Sequence, residues 1–238
     1  MKFFACKFAL TATVLGLLSV GGVSAQTTLT MSSWVGPSHP LTRDVLGGWA
    51  AAVEKATNGR VKLQMLPKAP MAAAGTFDGV RDGLVDVSYV TASYTPARHP
   101  LPLLAELPGS GGSAEVNSVA YSRIHWKYLQ QANEYKGVKL LGVFTHGPGQ
   151  MFSVKKPVTS VADLAGKAWD AADKVGIEAL KAAGVAMVDA NPAFVADVRK
   201  RTEPLISDWV KAANAKGIDG AKVFAEFHEE LKKVAAGR

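Results

Sequence analysis

The chain has 238 residues, is 48% hydrophobic, carries a formal charge of +7 and holds one cysteine, Cys6. Cys6 lies in a segment that reads as removable, so disulfides, thiol catalysis and cysteine metal sites are excluded from the mature chain, which an ordinary apolar core must hold together. The basic residues are scattered rather than gathered in a stripe with stacking aromatics. That excludes nucleic acid as a partner and leaves a mild attraction for anionic solutes.

Lys2 and Lys7 precede an apolar run from Phe8 to Val20. The run is shorter than the roughly 20 residues of a membrane-spanning helix. Val23-Ser24-Ala25 supplies small residues at −3 and −1 before Gln26. Residues 1–25 therefore read as a secretory signal peptide, with a periplasmic destination for the rest. The alternative, a membrane anchor, lacks a stop-transfer charge cluster. Cys6 is not at the cleavage point, so no covalent membrane anchor is expected.

In chain order, Thr28 to Trp34 alternates polar and apolar and predicts a strand. Leu41, Val45, Leu46, Trp49 and Val53 fall at helical spacing, predicting a helix from Pro40 to Thr57 that stops at Asn58-Gly59. Strands follow at Val61–Leu66 and Val85–Val90, separated by a short helix over Thr76–Asp82. Thr91 to Gly112 is irregular. Ala114 to Tyr135 is amphipathic and helical, and the apolar run Val138 to Phe144 predicts another strand. Gly147-Pro148-Gly149 ends that unit, and Gln150 to Val154 resumes as a strand. Ser160-Val161-Ala162-Asp163 has the form of a capping box. Trp169 to Ala183 predicts a helix, Val185 to Val188 a brief strand, and Pro192–Ala213 and Gly220–Ala235 two further helices.

The β-α-β rhythm of the first part implies a parallel or mixed sheet with helices on its faces. In such sheets solutes bind outside the carboxyl ends of the strands. Trp34, Pro67-Lys68 and Tyr94 all fall just past strand ends. Trp34 and Tyr94 could wall an apolar pocket or simply pack in the core; His39 and Lys68 could pair with a carboxylate or simply be solvated. Catalysis finds no support. There is no Gly-x-Ser-x-Gly elbow and no His-Glu-x-x-His pair, and the five histidines have no metal-ligand spacing. His125 reads as a packed or surface histidine and His228 as part of a solvated helix face. No metal and no cofactor is called for.

Several segments together carry a resemblance: Trp34-Val35-Gly36-Pro37-Ser38-His39-Pro40, Leu66-Pro67-Lys68, Asp78 to Asp86, Tyr94-Thr95-Pro96-Ala97-Arg98 with Glu106-Leu107-Pro108, Phe144 to Gln150, and Asp163-Leu164-Ala165-Gly166-Lys167. In this order they resemble the substrate-binding subunits of the tripartite ATP-independent periplasmic (TRAP) transporters, the dicarboxylate-binding family. The resemblance implies an α/β, periplasmic-binding-protein-like molecule of two lobes that captures a small organic acid and delivers it to TRAP membrane permease subunits. It implies ligand contacts from Trp34, His39, Lys68, Tyr94, His146 and Gln150.

The chain departs from the family after Gly166-Lys167. There the family runs on into a strand bearing an arginine that clamps the carboxylate, whereas Ala168-Trp169-Asp170 resembles a much later helix. Roughly one domain's worth of chain, about 100 residues, is absent by this reading. The expected organisation is a first α/β lobe with a mixed sheet over 26–148, a crossover and remnant of the second lobe over 149–168, and a helical region over 169–238 packed on the first lobe. Solute binding is expected to be impaired. The alternative is an interaction protein that keeps only the permease-docking surface.

Overall fold

The computed structural model describes residues 26–147, 149–150, 158–164, 170–171, 182, 184 and 189–238. Strand β1 (Thr27–Ser32) is the middle of a parallel sheet ordered β2-β1-β3, with β2 at Val61–Met65 and β3 at Val87–Ser88. Met31 stands in register with Met65 on one side and Val87 on the other. Along β2, Val61, Leu63 and Met65 are half-buried while Lys62 and Gln64 are exposed, the period of a sheet with one covered face. Asp86 pins β3 to β1. Its Oδ2 accepts from the Thr30 amide and hydroxyl at 2.7 Å each, and its own N–H donates to the Thr30 carbonyl at 3.1 Å. These bonds hold the Asp86 carboxyl below its ordinary range.

The helix expected from Pro40 begins as a π-helical turn, Leu41–Leu46, and continues as α1, Gly47–Ala56. It stops where predicted, with Asn58 and Gly59 both in the left-handed region at φ 51° and 75°. Only Leu46 of its apolar stripe is buried; Val45 and Trp49 face solvent. Helix α2 covers Thr76–Arg81. Helix α3, Ala114–Ile124, is capped by the Ser113 hydroxyl, which accepts from the Val116 N–H at 3.2 Å. It then loosens through a π-turn, His125–Leu129, and a short 3-10 turn, Gln130–Ala132.

Two expectations are corrected. Val138 to Phe144 forms no strand: no sheet partner lies beside it among the described residues, and without a ladder an apolar run has nothing to fix it as a strand. Leu141 is 62% exposed and Phe144 51%. At the start of the helix expected over 169–183, Asp170–Ala171 is instead strand β5. It pairs antiparallel with β4, Gly149–Gln150, so tertiary pairing overrides helical propensity there. The main sheet itself is wholly parallel, and the antiparallel pair stands apart from it. The signal segment 1–25, most of the strand 150–154, most of the helix 169–183 and the strand 185–188 lie outside the described residues.

The turn expected at Ser160-Val161-Ala162-Asp163 forms, with half of the capping-box pattern: the Asp163 N–H donates to the Ser160 carbonyl rather than to its hydroxyl. The Asp163 carboxylate accepts from the Ser160 N–H at 3.1 Å and from the Ser160 hydroxyl at 2.9 Å, ahead of the 3-10 turn Val161–Leu164. The two last helices also form. Helix α4, Pro192–Ala215, is capped by Asn191, and α5, Gly220–Ala235, by Asp219. They share a core with α3 and the 3-10 segment Leu101–Glu106. Its centre is Leu104, Ala120, Ile124, Ala213, Val223 and Phe227. A second, small cluster of Met31, Leu46 and Tyr89 lies against the sheet. None of the described helices is long and apolar enough to cross a membrane.

Candidate functional site

The parallel sheet brings the segments that follow β1 and β2 to one edge. Ser33 and Trp34 leave β1, and Leu66, Pro67 and Lys68 leave β2. The Leu66 N–H still donates to the Met31 carbonyl at 2.7 Å, holding the two exits side by side. Between them lies a pocket of about 130 Å³, bordered by Trp34, Val35, Pro37, Leu66, Pro67 and Lys68. Its floor is set by hydroxyls: Ser33 and Thr42 meet at 2.5 Å, one donating to the other, and the Val35 carbonyl, 3.1 Å from Ser33 Oγ and 3.3 Å from Thr42 Oγ1, accepts from whichever proton is left.

Trp34 is fixed by two other rings. Tyr89 lies tilted at 5.8 Å between centroids, and Tyr94 meets it edge-on at 5.4 Å. The Trp34 indole N–H and the Tyr89 hydroxyl are buried without a hydrogen-bond partner among the described residues. Burial pushes the Tyr89 phenol up to about 12, with the nearby Ser33 hydroxyl offsetting part of this, so Tyr89 stays a neutral donor at physiological pH. Tyr94 is 49% exposed, and one side of the pair is open to solvent.

Of the six residues singled out in the sequence, Trp34, Lys68 and Tyr94 are brought together, the first two on the pocket and Tyr94 against Trp34. His39 lies one turn away. Its Nδ1 accepts from the Leu41 N–H at 3.1 Å, and its carbonyl takes the Thr42 and Arg43 N–H groups at 2.9 Å each. One ring nitrogen is therefore committed to starting the helix. His146 does not border this pocket. Its carbonyl accepts from Asn117 on α3 at 3.5 Å, and its Nδ1 is 2.6 Å from the Gly147 carbonyl. Gln150 is placed only by its backbone in β4. Sequence reasoning missed Ser33, Thr42 and Tyr89. Tyr89 had a signal, since Val85, Val87 and Tyr89 share one face of the predicted strand and only the last can carry a polar group to its end.

A larger cavity of about 180 Å³ lies near the end of α3, between Leu101, His125, Trp126, Glu134 and Val138. It borders no strand end, and its one carboxylate is already paired, with Lys216 Nζ 3.2 Å from Glu134 Oε1. Unlike it, the smaller pocket has an open aromatic wall and a cation, Lys68, with no ion-pair partner among the described residues.

Residues 31–198 match the family model of bacterial extracellular solute-binding proteins, family 7. An outer membrane transporter protein, TsaT, of Comamonas testosteroni is 29% identical over 180 residues. That match takes in 76% of this chain but 53% of the relative, so the chain spans about half the length of that curated protein. A TRAP periplasmic solute-binding protein of Bordetella bronchiseptica, solved with bound (R)- and (S)-mandelate, superposes with a TM-score of 0.78 at 29% identity over 87% of this chain and 99% of that one. A TRAP solute-binding protein of Rhodoferax ferrireducens, solved with copurified benzoate, superposes at 0.74 with 16% identity, covering 89% and 99%. The last likeness speaks for the fold alone.

Proposed function

This chain belongs to the bacterial extracellular solute-binding proteins of family 7, and from that premise we propose that it captures a small organic carboxylate in the periplasm and hands it to the permease of a TRAP transporter. The observation that supports this most is the pocket at the carboxyl edge of the parallel sheet, where an aromatic wall and the Lys68 ammonium converge from two strands. The mandelate held by the Bordetella relative is itself a carboxylate. The solute is bound and released, with no chemistry done on it. Lys68 is the group that meets the carboxylate, Trp34 and Tyr94 face its apolar body, and His39 can contribute only through Nε2. His146 and Gln150 would approach from the far side of a fuller cleft.

Binding is expected to be weak. At about 130 Å³ the pocket is smaller than the ~300 Å³ at the low end of ligand sites. The resemblance places the wall that would face it in the stretch absent near Ala168. An internal shortening there is supported by the half-length match to the Comamonas relative. A dissociation constant on the order of millimolar, about −4 kcal/mol, suits such a half-walled site. The test is thermal stability of the signal-free protein titrated with small carboxylates. Saturable stabilisation of about 1.4 kcal/mol at ten times the dissociation constant is expected.

The shortening also favours a second reading, in which the chain keeps a permease-docking surface without carrying solute. A cooperative melt that no carboxylate shifts, together with ligand-independent co-purification with the permease, would select that reading over the first.

A further inference from the structure

We propose that the cavity beside the end of α3 is a second binding site, distinct from the pocket at the sheet edge, and that it takes a small uncharged ring carrying both a hydrogen-bond donor and an acceptor, of the azole class. The cavity holds about 180 Å³. His125 borders it from the π-turn that follows α3 and is 3% exposed, with no hydrogen-bond partner for either ring nitrogen among the described residues. The other buried histidine is better served, since His99 Nδ1 lies 2.9 Å from the Thr95 hydroxyl. Asn133 then takes the left-handed conformation, at φ 49°, which turns the chain back and puts Glu134 and Tyr135 on the same cavity. The Glu134 side chain is 3% exposed. Its Oε2 accepts from the Leu101 N–H at 3.3 Å, and Lys216 Nζ lies 3.2 Å from Oε1. That contact balances the charge but is not a hydrogen bond, so Oε1 remains a buried acceptor without a donor among the described residues.

Two turns thus present hydrogen-bonding groups to one space, and a buried polar group without a partner is costly. A neutral imidazole offers one N–H and one lone pair. Burial lowers His125 from its ordinary value, so it stays neutral at physiological pH. With His125 uncharged and Glu134 balanced by Lys216, the inner wall offers hydrogen bonds rather than net charge, and an ion would lose its hydration on entry. Lys139, also on the border, is exposed and keeps its charge in water. A ring with an N–H beside a bare nitrogen answers both groups: the N–H suits Glu134 Oε1, and the bare nitrogen takes the His125 N–H. Leu101 and Leu129, both buried, give it apolar walls, and Trp126 and Tyr135 supply aromatic ones. About 150 Å³ is enough for a benzene ring in an apolar cavity, so a five-membered ring fits here. Water can fill the same space, and a guest that reproduces its hydrogen bonds while adding apolar contact displaces it favourably. Trp126 is 40% exposed, which leaves the border open to entry.

The test is titration of the signal-free chain with pyrazole, N-methylpyrazole and benzoate, followed by the NMR resonances of the His125 ring, which His125→Phe assigns by their loss. Pyrazole is expected to shift them saturably and to bind about two- to tenfold tighter than N-methylpyrazole, which keeps the ring and lacks the donor. His125→Phe keeps a ring of similar size, and its affinity for pyrazole, read by calorimetry, should fall by a similar factor. The methyl comparison is made on the unmodified chain, so it decides the outcome even if the variant melts early. The proposal is overturned if pyrazole leaves the His125 resonances unmoved, if N-methylpyrazole binds as tightly, if His125→Phe binds pyrazole undiminished, or if benzoate binds tightest of the three at His125. Each of these results leaves the solute reading where it stood, since that reading is measured at Lys68 in the other pocket.

Discussion

The helical half and the sheet half of this molecule are built to different standards. Between α3, α4, α5 and the Leu101–Glu106 segment, fourteen side chains form one buried cluster; over the sheet, among the described residues, the corresponding cluster has three. The first half closes on itself. The second leaves Val45 and Trp49 of α1 in solvent and opens its strand ends into the pocket. Apolar burial and the open pocket are thus segregated. The helices supply most of the apolar burial, and the sheet spends its edge on exposed rings and a cation. The described sheet has three strands, one of them only two residues long, over a cluster of three buried side chains, so the sheet half leans on the seam that joins it to the helices.

Deleting bulk from each half tests this most severely. Phe227, fully buried in α5, should cost about 3–5 kcal/mol as Phe227→Ala, because the cavity cannot collapse between three packed helices. Leu46→Ala removes a large side chain from the thin cluster and should cost about 2 kcal/mol, the lower end for such changes. Denaturant unfolding measures both. Equal losses would break the comparison, and hydrogen exchange should show the sheet amides opening first in Leu46→Ala.

The next effect is smaller and lies within the helical half. Trp209 on α4 donates its indole N–H to the Leu101 carbonyl at 3.1 Å in a buried bond that ties positions 108 residues apart. Trp209→Phe keeps most of the ring but orphans that carbonyl, at a cost of about 1–3 kcal/mol. Because Trp209 is remote from the pocket's border, carboxylate affinity should not change at temperatures where the variant is folded. A change in affinity would mean that the two halves are coupled more tightly than their separate cores suggest.

What could be read from the sequence follows the same division. Helices α4 and α5 carry their own start signals, Asn191-Pro192 and Asp219-Gly220, and formed close to where the pattern placed them. Strands β1 and β2 alternate clearly and lie next to each other. The Val138–Phe144 run was misread because its apolar residues specify a strand only if a neighbour supplies the ladder, and local pattern carries no information about neighbours. Asp170–Ala171 failed for the converse reason, as a partner at Gly149–Gln150 overrode the local preference. Within the site, Trp34 and Lys68 were legible because strand ends in parallel sheets converge. His39 was read as a possible partner for a carboxylate but has one nitrogen in a helix start, a local bond that composition does not reveal. Tyr89 was hidden inside its own strand.

The seam between the halves gives the smallest effect and a signature of its own. His99 is fully buried and His125 is 3% exposed, and both ring nitrogens of His125 lack partners among the described residues. Tyr135 stands between them, stacked 5.0 Å from His99 and tilted 6.2 Å from His125; Phe77 of α2 meets His99 at 5.0 Å, and Tyr121 of α3 meets His125 at 6.1 Å. The ionisable groups facing this cluster are Arg98 and its partner Asp78 beside His99, Glu134, paired with Lys216, and the two tyrosines, whose phenols burial raises. Burial lowers both histidines from their ordinary value of 6.5. The unfolded chain therefore binds protons below about pH 6.5 that the native one refuses. The stability of neutral burial is complete above that pH and is lost as pH falls toward the native values, at about 1 kcal/mol or less per pH unit for each histidine. His125→Phe keeps a ring of similar size and removes two unpartnered nitrogens. Its melting temperature at pH 7.5 should hold or rise, and its decline between pH 6.5 and 5 should be shallower than that of the unmodified chain, with His99 responsible for what remains. An unchanged decline would mean that the acid sensitivity lies elsewhere and that the seam is not where protonation separates the sheet half from the helices.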